Sequence, residues 1–126
     1  MKIAITSTGK DLNTQIDPRF GRCQYFLIVD TDTMECEAIE NDQAQARGGA
    51  GIQAGQLMAQ RDVKAVLTGN CGPNAFQTLS AAGIEVVNGV SGIAREAVER
   101  YTNGELAPAK DANVPSHFGM EQGSAE

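Results

Sequence analysis

Glycine sets the limits on what this chain can become. Fourteen glycines punctuate 126 residues, and the longest apolar run, Tyr25-Phe26-Leu27-Ile28-Val29, is only five residues long. Such segments make strands or short helices joined by tight turns, and no stretch approaches the ~20 apolar residues that cross a bilayer. Lys2–Ser7 alternates, with Ile3 and Ile5 on one face, and reads as a strand. Tyr25–Val29 reads as a strand covered on both faces. Met34–Ile39 returns after the turn at Asp30–Thr33 as the second arm of a hairpin, with Met34, Cys36 and Ala38 on one side and Cys36 in the core. Ile52–Arg61 carries Ile52, Gly55 or Gln56, and Ala59 at helical spacing, with Gly55 as a weakness. Ala65–Leu67 is a buried strand. A helix follows from Pro73, which suits a first turn, to about Ala82, where Gly83 stops it. Ile84–Val87 is the fifth strand. Ser91 is the expected N-cap of a last helix striped by Ile93, Ala94, Ala97, Val98 and Tyr101.

The order β-β-β-α-β-α-β-α predicts an α/β fold with a five-stranded mixed sheet and the hairpin at one edge. Residues 1–106 form its single domain; 107–126, with two prolines and no periodicity, read as a flexible tail. Strand directions put four joints at one end of the sheet: Thr8–Arg22, Asn41–Gly51, Gly69–Pro73 and Asn88–Ser91. Open α/β sheets bind ligands in the crevice at that end.

Charge and composition narrow what is bound there. Sixteen acids against ten Lys and Arg give a net charge of −6, which argues against nucleic acid and anionic membranes as partners. The short N-terminus carries no secretory pattern, so a cytoplasmic location is expected. The three cysteines include no C-x-x-C pair, and there is a single histidine, a poor basis for a closed zinc site. No G-x-S-x-G, H-E-x-x-H or Walker loop is present.

The joints themselves favour an anion. Arg19, Arg22 and Arg47, three of six arginines, lie in the first two, where with Lys10 they face only Asp11, Asp17 and Asp42. Gly48, Gly49 and Gly51 precede one helix, expected to start at Ile52, and Asn70 and Gly72 precede another, so backbone N–H groups are available to an anion. Cys23 and Cys71 border these loops as candidate thiolate ligands or sulfur contacts. The dipole of the helix after Cys71 is expected to lower its pKa below the free value of about 8.5, making it the more reactive of the two, while burial raises Cys23. Each feature has a plainer reading, in which the glycines only permit turns and the cysteines only pack. His117, alone in the tail, ranks last among the ligands.

Three ordered strings go further. Asp17-Pro18-Arg19-Phe20-Gly21-Arg22-Cys23 with Phe26 and Asp30, Gly48-Gly49-Ala50-Gly51-Ile52-Gln53-Ala54, and Leu67-Thr68-Gly69-Asn70-Cys71-Gly72-Pro73-Asn74-Ala75-Phe76 resemble the dinitrogenase iron–molybdenum cofactor family, the NifX/NafY-like group, over roughly residues 1–105. The resemblance implies a three-layer α/β/α sandwich of ribonuclease-H-like type. It implies binding of metal–sulfur clusters, either iron–molybdenum–sulfur species or a molybdenum–copper sulfide, held non-covalently or by weak ligation. The sequence holds one histidine, His117, where some relatives carry histidine-rich tails.

The expected function is therefore non-enzymatic carriage or scaffolding of an anionic metal–sulfur cluster in cofactor assembly or metal handling. Arg19, Arg22, Arg47 and the amides around Gly48, Gly49, Gly51, Asn70 and Gly72 would hold the cargo. The alternative is a regulatory module that binds a phosphate-bearing small molecule or, as the resemblance suggests, a P-loop ATPase.

Overall fold

Five short strands and three helices follow one another in the computed structural model, which describes residues 1–42, 50–110 and 112. They are β1 (Lys2–Ser7), β2 (Tyr25–Asp30), β3 (Cys36–Glu40), α1 (Ala50–Gln60), β4 (Ala65–Leu67), α2 (Pro73–Ala81), β5 (Glu85–Val87) and α3 (Ala94–Thr102). The strands form one mixed sheet in the order β3-β2-β1-β4-β5. β1 pairs in parallel with β4, with Ile3 opposite Ala65, and antiparallel with β2, with Ile3 opposite Val29. The expected fold class, an α/β chain with a five-stranded mixed sheet and the β2–β3 hairpin at one edge, is the observed one.

Alternation along the strands builds two cores. Ala4, Phe26, Ile28, Val66 and Val86 point to the face covered by α1 and α2, through Ala54, Met58, Ala75 and Leu79. Ile3, Ile5, Leu27, Val29, Ala65 and Leu67 point to the other, covered by α3 through Ala94, Ala97 and Val98 and by Leu12 and Ile16 of the first loop. Helices on both faces give three layers. β1, β2 and β4 are buried on both sides, which is why β2 and β4 read as apolar runs, whereas β1, which alternates in sequence, also buries the polar Thr6 and Ser7.

Three local expectations are corrected. Cys36 is exposed: β3 is an edge strand largely open on both faces, and its neighbours Glu37 and Ala38 are exposed with it. Ile52 is 38 % exposed, because α1 turns Ala50, Ala54 and Met58 inward and leaves Ile52 outside. Ser91 does not cap α3; Ile93 holds that position, and the first-turn N–H groups of Ala94 and Arg95 donate to the carbonyls of Thr14 and Leu12 at 2.9 and 2.8 Å. After α3, Leu106 packs on the α3-side core and the Ala109 N–H donates to Val86 O at the open edge of β5. Most of the stretch expected to be a tail lies outside the described residues.

Gly55, which weakens α1 as an isolated helix, belongs to the contact between α1 and α2. A Cβ there would lie 2.8 Å from Thr78 Cγ2. Helix propensity favours alanine over glycine by ~1 kcal/mol, but overpacking costs ~1–3 kcal/mol. Gly55→Ala should therefore lower the urea midpoint, and adding Thr78→Ser, which deletes the opposing methyl, should restore most of the loss. A Gly55→Ala variant more stable than wild type would contradict this packing account.

Candidate anion-accepting site

The site is assembled where the first loop crosses the sheet. Residues 8–16 lie over the α3 face, with bridges from Ser7 to Ile16 and from Gln15 to Ile93, whereas Phe20 and Cys23 belong to the α1/α2 core. Asp17 marks the crossing. Its N–H donates to Thr6 O at 3.0 Å and its carbonyl accepts the Thr6 hydroxyl at 2.7 Å. The Thr68 hydroxyl at the end of β4 lies 2.9 Å from that of Thr6 and completes the chain by donating to it. Thr6, Asp17 and Thr68 are all buried, so these bonds replace water that cannot reach the groups.

From this junction the loop docks on the segment after β4. Asn70 N–H donates to Pro18 O at 2.6 Å and Phe20 N–H to Asn70 O at 3.1 Å, a parallel bridge that sets Arg19 beside Asn70. The approach is so close that a Cβ on Gly69 would lie 2.8 Å from Pro18 Cα. Phe20 anchors the loop below, edge-on to Phe26 with ring centroids 5.6 Å apart. Asn41, at the end of β3, donates from Nδ2 to the carbonyls of Gly21 and Cys23 at 3.1 and 3.0 Å.

Two further contacts bring the helices in. A Cβ on Gly21 would lie 2.9 Å from Gly51 N, and one on Gly51 would lie 2.9 Å from Ala75 Cβ. The loop therefore presses on the start of α1, which presses on the start of α2. Neither helix has an acid in its first turn, and α2 begins at Gly72 with no side-chain cap and Pro73 behind it. Their leading N–H groups have no acceptor within the helix and carry the positive end of its dipole. The start of α3 differs, since the carbonyls of the first loop and Glu96 answer its donors.

The structure thus brings together Arg19, Gly51, Asn70 and Gly72, with Arg22 half-buried on the same loop. Arg47, Gly48, Gly49 and His117 lie outside the described residues. Lys10, counted with the loop cations, sits 5.9 Å above the ring of Tyr25 instead. The residues that hold the site in place, Thr6, Asp17, Asn41 and Thr68, were not among the candidates. Asp17 and Thr68 stood in two of the strings that carry the resemblance, without a role of their own, and nothing in the sequence pointed to Thr6 or Asn41.

The two loop cysteines lie beneath the rim. Cys23 is 0 % and Cys71 1 % exposed, and both belong to the α1/α2 core. The expected depression of Cys71 is overturned: burial pushes its thiol up to about 12, outweighing the helix dipole. Burial also raises Cys23, and the Asp17 carboxylate adds to the effect. At neutral pH both are protonated. Among the described residues no group of three or more His, Cys, Asp or Glu could hold a metal ion, and no helix is long and apolar enough to cross a membrane.

Fold and site define a class: a small α/β module whose loop rim, guanidinium and two acid-free helix starts suit an anionic group. The comparisons give its family. The model of the family described as "Dinitrogenase iron-molybdenum cofactor" matches residues 1–104, and the chain belongs to this family. It is similar to the apo orange protein of Desulfovibrio gigas, with 41 % identity, a TM-score of 0.87 and coverage of 90 % of this chain and 96 % of that one. A NifB-like Thermotoga protein solved by NMR has 37 % identity and a TM-score of 0.74, covering 85 % of this chain and 91 % of the other. An uncharacterized protein of Methanocaldococcus jannaschii is 31 % identical over 109 residues, 84 % of this chain and 89 % of its own length.

Two outcomes test the thiol assignments. A water-soluble disulfide reagent should label Cys36 fast, and Cys23 and Cys71 only as the chain opens; fast labelling of Cys71 in folded protein would contradict its burial. Unfolding returns Cys71 toward the ordinary 9.0, so its contribution to stability is whole below that pH and is lost as pH climbs toward 12. Urea midpoints should fall across this range, and less steeply in Cys71→Ala.

Proposed function

We propose that this protein is a non-enzymatic carrier or scaffold for an anionic metal–sulfur cluster containing molybdenum with iron or copper, held without strong covalent ligation. The observation that carries the reading is the stacking of Gly21 on Gly51 and of Gly51 on Ala75, which places two acid-free helix starts, that of α2 without a side-chain cap, beside Arg19 and Asn70. Thiometallate clusters are anionic and present sulfide acceptors to backbone N–H groups. Arg19, Arg22 and Arg47 would supply positive field, and the amides of Gly48–Gly51 and Asn70–Gly72 would donate.

Cys23 and Cys71 fit this cargo as sulfur contacts more readily than as ligands. Each would have to lose a proton that burial retains and reach past the loop covering it. A site of this kind releases its cargo easily, because no metal–protein bond has to break. A phosphate would find the same donors, so nucleotides are the discriminating control.

Tetrathiomolybdate supplied with copper, or iron with sulfide, should give a stoichiometric visible chromophore on purified protein. Arg19→Gln combined with Arg22→Gln should weaken retention at least about tenfold, since each charge-assisted contact is worth ~1.5–3 kcal/mol. Added salt should weaken it further. Nucleotides should give no saturable heat on titration. A chromophore unaffected by the arginine substitutions, or saturable nucleotide binding without cluster uptake, would overturn the proposal.

A further inference from the structure

A buried carboxylate beside a site for anions calls for an explanation, because its charge repels the cargo. Asp17 is 3 % exposed. Its Oδ1 accepts the backbone N–H of Arg19 at 3.1 Å and its Oδ2 that of Gln24 at 3.3 Å, so one side chain closes the loop from both ends. Oδ1 also lies 3.7 Å from Arg19 Nε. Among the described residues no other side chain takes the Arg19 guanidinium, whose side chain is 44 % exposed. The outer N–H groups are therefore available to a ligand while the inner edge is held.

We propose that Asp17 is the positioning residue of the rim: its carboxylate closes the 17–24 turn and holds Arg19 beside Asn70, where the guanidinium meets an anionic cargo. The proposal rests on the carrier reading. Two effects of opposite sign act through Asp17. Its charge opposes an anion, while its hydrogen bonds fix the loop amides and remove the entropy cost of ordering a long cationic side chain on binding. Both oxygens of the carboxylate accept from the chain, and an amide of the same shape supplies one acceptor only. Asp17→Asn therefore leaves one backbone donor facing an NH2 group, frees the turn and removes the hold on Arg19. Simple charge removal predicts tighter binding by this variant; positioning predicts weaker.

Full-length wild type, Asp17→Asn, Arg19→Gln and the double variant would be titrated with tetrathiomolybdate, with folding checked by urea midpoint. Asp17→Asn should bind about tenfold more weakly, and in the Arg19→Gln background the same change should cost less than about twofold, because the two residues act as a unit. Equal or tighter binding by folded Asp17→Asn, or an equal loss in both backgrounds, would overturn the proposal. If Asp17→Asn does not fold, Arg19→Lys decides: it keeps the charge without the Nε contact, should bind as weakly as Arg19→Gln, and overturns the proposal if it binds like wild type. If wild type itself takes no thiomolybdate, the carrier reading fails separately. The order parameter of the Arg19 Nε–H then tests positioning alone, through Asp17→Asn or, should that variant not fold, through Asp17→Glu: high in wild type and reduced in the variant supports it, and unchanged order overturns it.

Discussion

Everything at the functional end of the sheet hangs on the buried junction between Thr6, Thr68 and Asp17. β1 and β4 end side by side; the carbonyl and hydroxyl of Thr6 take up the backbone N–H and carbonyl of Asp17, where the first loop crosses from one face of the sheet to the other, and the Thr68 hydroxyl, just after β4, bonds that of Thr6. Leaving any of these groups without a partner at that depth would cost ~1–3 kcal/mol, so the crossing point is tightly specified. From it the first half of the loop covers α3 and satisfies that helix's leading donors, and the second half reaches α1 and α2. The start of α3 is thereby closed, while that of α2 has no side-chain cap and neither α1 nor α2 has an acid in its first turn.

Close backbone packing then does what side chains do in most sites. Gly69 under Pro18, Gly21 on Gly51 and Gly51 on Ala75 are contacts a Cβ would not permit without movement. They bring three segments far apart in sequence to one rim while adding no acidic group to it. Local charge follows from this arrangement: a chain with a net charge of −6 presents amides and guanidinium at one place. The thiols beneath are protonated because the same packing excludes water. On the proposed carrier reading, a rim of amides and guanidinium over protonated sulfurs would suit cargo that must later be given up.

The strands were legible because two-sided burial writes itself as unbroken apolar runs, and the joints because glycine and proline mark them. Arg19, Asn70 and Gly72 were legible as a group once strand directions were worked out. The misreadings share a cause, which is that local pattern does not say what lies opposite. Cys36 alternates as a core residue would, yet its strand is at the edge. Ile52 is the most apolar residue at the start of α1, yet the close approach of α2 selects the face bearing Ala50, Ala54 and Gly55. Cys71 stands before a helix start, as an activated thiol would, but depth outweighs the dipole. Asp17 carried no periodic signal, and only the three-dimensional crossing shows why a carboxylate is buried there.

Amide chemical-shift mapping during titration of the labelled protein with tetrathiomolybdate tests the central claim most directly, because it reads the location of the anion without assuming a ligand residue. The account predicts the largest shifts in residues 19–23, 50–53, 70–72 and 74–76, with Ala94 and Arg95 at the closed start of α3 unmoved. Shifts centred on α3 or on exposed lysines, with the starts of α1 and α2 silent, would contradict it.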